Sequence, residues 1–400
     1  MGERARRSAD RGAEQTILLC AMIGAAQITW GAVVPALPLY VAGVHAPVAV
    51  LGPLLAAFAI GRVLGNVPAG LLLRRWDPRA MLWVSLSALA LVTIATAFAS
   101  DLSVVFGLRL VAGILGGAAV TVGFAVVLAG APDDRRGRVV SIATVVQMGA
   151  GAVGALLGGA AVSAAGPRAA FVVGALPVVL VLTWELVRPA RGYWAALRGD
   201  GIAAAPASPP ARGGSPSGLL AALAAVSFAL FFARFAAEQG LIPVLAYDSA
   251  SLDPLGLGAA LAAGTVLSMA ALPLVGRIVD RGARLAVLLP ATAASALVLI
   301  AFGLLSEPGA FAASVVAYGV ATSMANVVPG VVTAEAFPGR RAGGAVGLTR
   351  TAGDVGAAVG PLLVFWLADL ATPAVALAAV AVVLVVAVAA FVLVLPRRTA

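Results

Sequence analysis

Gly276-Arg277-Ile278-Val279-Asp280-Arg281-Gly282-Ala283-Arg284 holds three arginines and one aspartate between two long apolar runs, Leu255–Val275 and Leu285–Leu305. So charged a turn cannot lie in hydrocarbon, so it is read as a surface loop joining two buried or membrane-embedded segments. The loop has a copy. A shift of 206 residues toward the N-terminus places Gly276 on Gly70 and Arg281 on Arg75, with apolar runs on apolar runs. The same ungapped shift pairs Asp101 with Glu307, Gly113 with Gly319, Pro132 with Pro338, Arg135 with Arg341, Gly137 with Gly343, Gly154 with Gly360 and Pro167 with Pro373. One register held over about a hundred residues, with turn prolines and loop arginines matched, makes the chain two structural repeats.

Composition agrees with a membrane location. Of 400 residues, 62% are hydrophobic and 11% charged, outside the range of soluble globular chains. The 26 basic residues are all arginine, which we read as a codon-bias signature, and they give a formal net charge of +9. Cys20 and His45 are the only cysteine and histidine, leaving no intrachain disulfide, no expected metal site, and little scope for a Ser-His catalytic pair. No cofactor is expected. The stretch 1–14 is polar and arginine-rich without a small-residue cleavage site, so the apolar run after it reads as a first membrane helix.

Apolar runs of about 20 residues, each able to cross roughly 30 Å of hydrocarbon, fall near 15–41, 49–73, 80–99, 102–131, 139–164 and 168–188. A second set falls near 218–246, 255–276, 284–305, 308–336, 342–367 and 373–395. This predicts an all-α membrane protein of twelve helices in three segments: a bundle of six (1–188), a linker (189–217) and a second bundle of six (218–400). The linker carries Pro206, Pro209, Pro210, Gly213, Gly214 and Pro216 and is expected to be flexible. With the N-terminus inside, the inner segments hold nearly all loop arginines, while the outer loops hold Arg168 alone, beside Asp101, Asp248, Asp253, Glu307 and Asp369. That bias puts both termini and the linker in the cytoplasm of a plasma-membrane protein. The basic charge is therefore a topology signal, and no nucleic-acid partner is expected.

The loop and its copy carry a resemblance. Gly-x-x-x-Asp-Arg-x-Gly-x-Arg/Lys between the second and third helices of each half is the signature of the major facilitator superfamily. The stretch Gly276 to Arg284 resembles it, with Gly282 one residue early. In the first copy, Gly70 to Arg79, Arg74 stands at the aspartate and Asp77 at the second glycine, with Arg75 and Arg79 retained. Arg109-Leu-Val-Ala-Gly113 is similar to the family's Arg-x-x-x-Gly pattern of the fourth helix. Gly154-Ala155-Leu-Leu-Gly158-Gly159 is similar to the Gly-Pro-x-x-Gly-Gly pattern associated with antiporters, with alanine for proline, whereas Gly360-Pro361 in the eleventh helix keeps it. The alternative reading of these glycines is helix packing through small residues. The resemblance implies two six-helix bundles related by a pseudo-two-fold axis, a central path lined by helices one, four, seven and ten, and cytoplasmic gating loops. These comprise Gly70, Arg74, Arg75, Asp77 and Arg79 in one half and Gly276, Asp280, Arg281 and Arg284 in the other. It also implies that Asp280 latches the cytoplasmic side through a helix N-terminus of the opposite half. Arg74 has the wrong sign for that role. Asp133, Asp134 and Glu335 remain available to pair with loop arginines.

Ionisable groups inside spans are costly unless paired or hydrated, and so mark function. Arg62, with Asn66 one turn on, lies mid-span in the second helix. Arg109 lies in the fourth, and neither arginine has an acid one turn away on its own helix. Arg234 and Glu238 in the seventh, and Arg350 and Asp354 in the eleventh, are spaced i, i+4, which equally suits a self-neutralising local pair. Tyr318, Thr322 and Asn326 line one face of the tenth helix, and Gln27 and Trp30 one face of the first. Polar contacts between helices are the alternative for these faces. The sequence thus reads as a monomeric secondary transporter working by alternating access, exporting a small apolar or amphipathic molecule in exchange for protons. Glu238 and Asp354, with Arg350 beside it, are the proton-coupling candidates. Import or facilitated passage of a metabolite, a membrane-embedded lipid-modifying enzyme, and a non-transporting receptor are the alternatives. No Walker-type loop is present, so ATP is not the expected energy source.

Overall fold

The structure, a computed structural model, describes residues 2–73, 75–131, 136–194, 217–337 and 342–395. Among them twelve helices are long and apolar enough to cross a bilayer. The first six are Gly12–Val33, Val48–Leu72, Pro78–Phe98, Leu102–Gly130, Ser141–Ala165 and Pro167–Val187. The second six are Gly218–Asp248, Pro254–Asp280, Arg284–Ala301, Pro308–Thr333, Ala345–Leu370 and Pro373–Val394. Their outer faces leave large apolar side chains uncovered, among them Leu91, Phe98, Leu180, Leu297, Trp366 and Leu393. Surface of that kind, on helices that satisfy their own backbone, suits lipid as solvent.

Capping shows why the helices begin where they do. Asp101 accepts from the backbone N–H groups of Ser103 (2.7 Å) and Val104 (3.4 Å) at the start of the fourth span. Its repeat partner Glu307 accepts from Gly309 (2.8 Å) and Ala310 at the start of the tenth. The two caps share φ −87° and ψ 126°, so the 206-residue register survives to the level of a single turn. The Ser103 hydroxyl and backbone amides hold the Asp101 carboxyl below its ordinary range, and the amides of Gly309 and Ala310 do the same for Glu307. Asp77 caps the third span through Ala80 N–H (3.1 Å), and Pro78 follows at the first helical position, where its missing N–H costs nothing.

Two departures from regular helix follow from local chemistry. The run expected as one helix over 15–41 breaks after Val33 into a turn containing Pro35 and resumes as a short helix, Leu37–Gly43. The seventh span, expected as one α-helix, is α-helical over Ser217–Ala233, π-helical over Arg234–Leu241 and α-helical again over Ile242–Asp248.

By its contacts the chain forms two compact units, residues 1–36 with 61–204, and residues 37–60 with 205–400. Each repeats the same internal packing: spans 1 and 5, 1 and 6, 3 and 4, and 3 and 6 in the first unit correspond to 7 and 11, 7 and 12, 9 and 10, and 9 and 12 in the second. Small residues set these approaches. A Cβ on Gly158 would fall 2.1 Å from the Ala32 carbonyl oxygen, and one on Gly356 2.3 Å from that of Phe228. The core of the second unit is built from Leu223, Val226, Val279, Leu288, Val328 and Phe391, among others. The early part of the second span belongs to this unit: a Cβ on Gly52 would lie 2.9 Å from the Pro361 carbonyl oxygen. The main division falls at 204/205, within the 189–217 stretch, and residues 37–60 join the second unit.

The start of the 189–217 stretch packs against the first unit. Ala190, Tyr193 and Trp194 are buried. Gly192 N–H donates to the Gln15 side chain (3.0 Å), and the Tyr193 and Thr16 hydroxyls are 2.7 Å apart. Residues 195–216, which carry all of its prolines beyond Pro189, lie outside the described residues.

Candidate functional site

In the first unit, Arg109 of the fourth span is almost fully buried, and its guanidinium lies 4.9 Å from the centre of the Trp30 ring of the first span. A desolvated cation over an indole face gains roughly 2 kcal/mol. Gln27, nearly one turn before Trp30, is half-buried. On the second span Arg62 is half-buried, and the Asn66 side-chain oxygen accepts from the Thr121 hydroxyl at 3.0 Å, tying that span to the fourth. Trp30 and Arg109, chosen on separate helices, are thus brought together.

In the second unit, the polar groups of the seventh span sit on the π-helix. Arg234 Nε and Glu238 Oε1 are 3.8 Å apart, the arginine side chain 55% exposed and the glutamate 21%. In a regular α-helix residues four apart align; π bonding from i to i+5 rotates them off line, which accounts for the long contact. The Tyr318 hydroxyl, fully buried on the tenth span, donates to the Ala233 carbonyl at 3.5 Å. Gln239, absent from the sequence reading, is 8% exposed, and its buried side-chain oxygen has no hydrogen-bond partner among the described residues. Leaving such an acceptor unmet costs about 1–3 kcal/mol. Thr322 turns its hydroxyl back to the Tyr318 carbonyl (2.9 Å), and Asn326 is exposed. On the eleventh span Arg350 is exposed and Asp354 half-buried.

The loop residues divide differently from expectation. Arg75, Asp280 and Arg281 are exposed, and Gly282 takes φ +88°, a turn conformation that favours glycine. Among the described residues nothing crowds Gly70 or Gly276. Arg284, expected as a loop residue, is 8% exposed and donates to Glu335 at 2.6 Å, one of the acids available to loop arginines. Arg74, Asp133 and Asp134 lie outside the described residues. Gly154, Gly158 and Gly159 of the fifth span and Gly360 and Pro361 of the eleventh are half-buried or buried against neighbouring helices.

Arg79 leads to a group that sequence reasoning missed. Glu185, in the last turn of the sixth span, is fully buried. Its Oε1 accepts from Arg79 Nε (3.1 Å) and Trp194 Nε1 (3.0 Å), and its Oε2 from Arg79 Nη2 (2.9 Å) and Trp83 Nε1 (2.9 Å). Bidentate Arg–carboxylate geometry plus two indole donors saturates the carboxylate. The one signal in the sequence was an acid alone at the end of an apolar run, beside a tryptophan.

A family model described as the Major Facilitator Superfamily matches residues 19–237 and again 223–400. Among solved structures, the chain is similar to a bacterial homologue of the human lysosomal transporter Spinster in an inward-facing, unoccupied conformation. That match has a TM-score of 0.75 and 14% identity, covering 97% of this chain and 97% of that one. It is also similar to the nucleoside transporter NupG, with a TM-score of 0.71 and 15% identity, over 95% of this chain and 98% of that one. No curated protein matches the sequence. At these identities the structural likeness speaks to the fold.

Proposed function

The chain belongs to the major facilitator superfamily, and from that premise we propose that it exports a small, largely apolar or amphipathic molecule in exchange for protons. Family and fold support a transporter over a membrane enzyme. Export, cargo and coupling are our reading. It places the protein in the plasma membrane as a monomer with cytoplasmic termini and an alternating-access cycle.

The observation that carries the coupling is the loose pair at 3.8 Å between Arg234 and Glu238 on a π-helical turn inside the seventh span. A carboxylate held by so long a contact can exchange its arginine for a proton at little cost, and a change of charge inside a span biases one conformation against another. Asp354, half-buried on the eleventh span, is a second titrating group. The path carries few fixed charges, which suits an apolar body with a small polar head. The buried Arg109–Trp30 contact is its fixed positive element in the first unit.

Flux of rhodamine 123 from proteoliposomes tests the reading. Imposing a proton gradient should raise it several-fold, and nigericin should abolish the increase. Flux indifferent to the gradient would exclude proton coupling, and no flux at all would exclude this class of cargo.

A further inference from the structure

Buried polar groups differ in how fully they are met: Arg284 Nε, the Thr292 hydroxyl and Gln239 Oε1 have no hydrogen-bond partner among the described residues. Glu185 accepts four hydrogen bonds of 2.9–3.1 Å, and Arg284 meets Glu335 at 2.6 Å. Around the π-turn of the seventh span the same kinds of group are incompletely met. The Arg234–Glu238 contact is 3.8 Å, the Tyr318 hydroxyl reaches the Ala233 carbonyl only at 3.5 Å, and the Gln239 side-chain oxygen has no partner. Apolar side chains close the neighbourhood: a Cβ on Gly240 would meet Phe365 at 3.2 Å and Leu55 at 3.5 Å. A buried acceptor left open beside other loosely met polar groups is a place for a group that the chain itself does not supply. π-Helical turns, which disturb the regular bonding of a helix, recur at such sites.

We propose that Gln239 accepts a hydrogen bond from the transported molecule, which therefore presents an N–H or O–H donor on an otherwise apolar body. The inference rests on the export reading above for its cargo and adds the feature that selects among cargoes. With Gln239 as an unmet acceptor, a donor head suits the turn better than an acceptor head. A site of this kind discriminates strongly, since a cargo without the donor leaves the buried oxygen unmet.

Two dyes separate the possibilities. Rhodamine 123 carries N–H donors, and tetramethylrhodamine methyl ester is its N-methylated counterpart without them. In proteoliposomes, full-length Gln239→Leu should move rhodamine 123 about tenfold more slowly than wild type, the effect of one lost hydrogen bond. It should change the tetramethyl dye less than about twofold, and Gln239→Glu, which keeps an acceptor oxygen, should restore the first dye. Equal loss of both dyes, or loss of neither, would overturn the proposal. Melting of the purified protein without dye gives a second readout. Gln239→Leu should melt at or above the wild-type temperature, because it removes an unmet polar group. A clear drop would mean that a buried water or a structural bond occupies the oxygen, and would also overturn the proposal. If wild type moves neither dye, the amphipathic-export reading is what fails. The melting result then decides alone, and an unchanged or raised melting point leaves Gln239 as the open acceptor for a cargo with a different body.

Discussion

Glu185 and Glu238 both lie within membrane spans, and the protein treats them in opposite ways. Glu185 is sealed, fully buried, with each carboxylate oxygen accepting two short hydrogen bonds from Arg79, Trp83 and Trp194. Glu238 is one-fifth exposed and meets Arg234 at 3.8 Å, within ion-pair range but beyond a hydrogen bond. A charge with every lone pair satisfied has no use for a proton or a ligand, whereas a charge held loosely can take either. The contrast teaches that saturation, rather than the mere presence of an acid in a span, separates a structural carboxylate from a working one. Glu185 also joins three segments: the start of the third span, the end of the sixth, and the residues that follow it. It fastens the first turn of the linker to the first unit.

The largest effect is expected at the sealed site. Glu185→Ala strands two indole N–H groups and frees the Arg79 guanidinium, whose side chain is 40% exposed, so the cost is expected below the roughly 3–5 kcal/mol of breaking a fully buried pair. The variant should melt well below wild type in detergent, and residues 190–194 should become open to proteolysis. A melting point within a degree or two of wild type would mean that the network contributes little, and the contrast would lose its structural half.

A smaller effect on stability and a large one on transport are expected at Arg109. Its contact with Trp30 joins the fourth span to the first in the first unit. Arg109→Ala should reduce rhodamine 123 flux at least about tenfold, equivalent to about 1.4 kcal/mol, with membrane insertion largely unchanged. Loss of the protein from the membrane would move Arg109 to the structural side, alongside Arg79.

Much of this architecture was legible in the sequence because hydrophobic length and charge asymmetry report directly on membrane physics. The repeat register was legible too, down to Asp101 and Glu307 capping equivalent helices with the same backbone angles. What stayed hidden depends on contacts distant in the chain or on hydrogen-bond register. Arg79 and Trp83 stand 106 and 102 residues from Glu185, and no local pattern joins them. The π-turn at Arg234–Leu241 is a change of bonding partner inside a continuous apolar run, which carries no periodic signal. Composition also gave no sign that Tyr193 and Trp194, early in the 189–217 stretch, meet partners from the first, fourth and sixth spans. Arg284 was read as an exposed loop residue from its place in a charged run, yet Glu335 draws it into the helix packing.

The claim that Glu238 is the working carboxylate is tested most directly by removing its charge while keeping its shape. In proteoliposomes carrying Glu238→Gln, rhodamine 123 flux under an imposed proton gradient should fall to the level seen without a gradient. Exchange of dye at equal concentration on both sides, which needs no net proton movement, should persist. Gradient-driven flux equal to wild type would contradict the account, because a side chain that cannot titrate would then be sustaining the coupling.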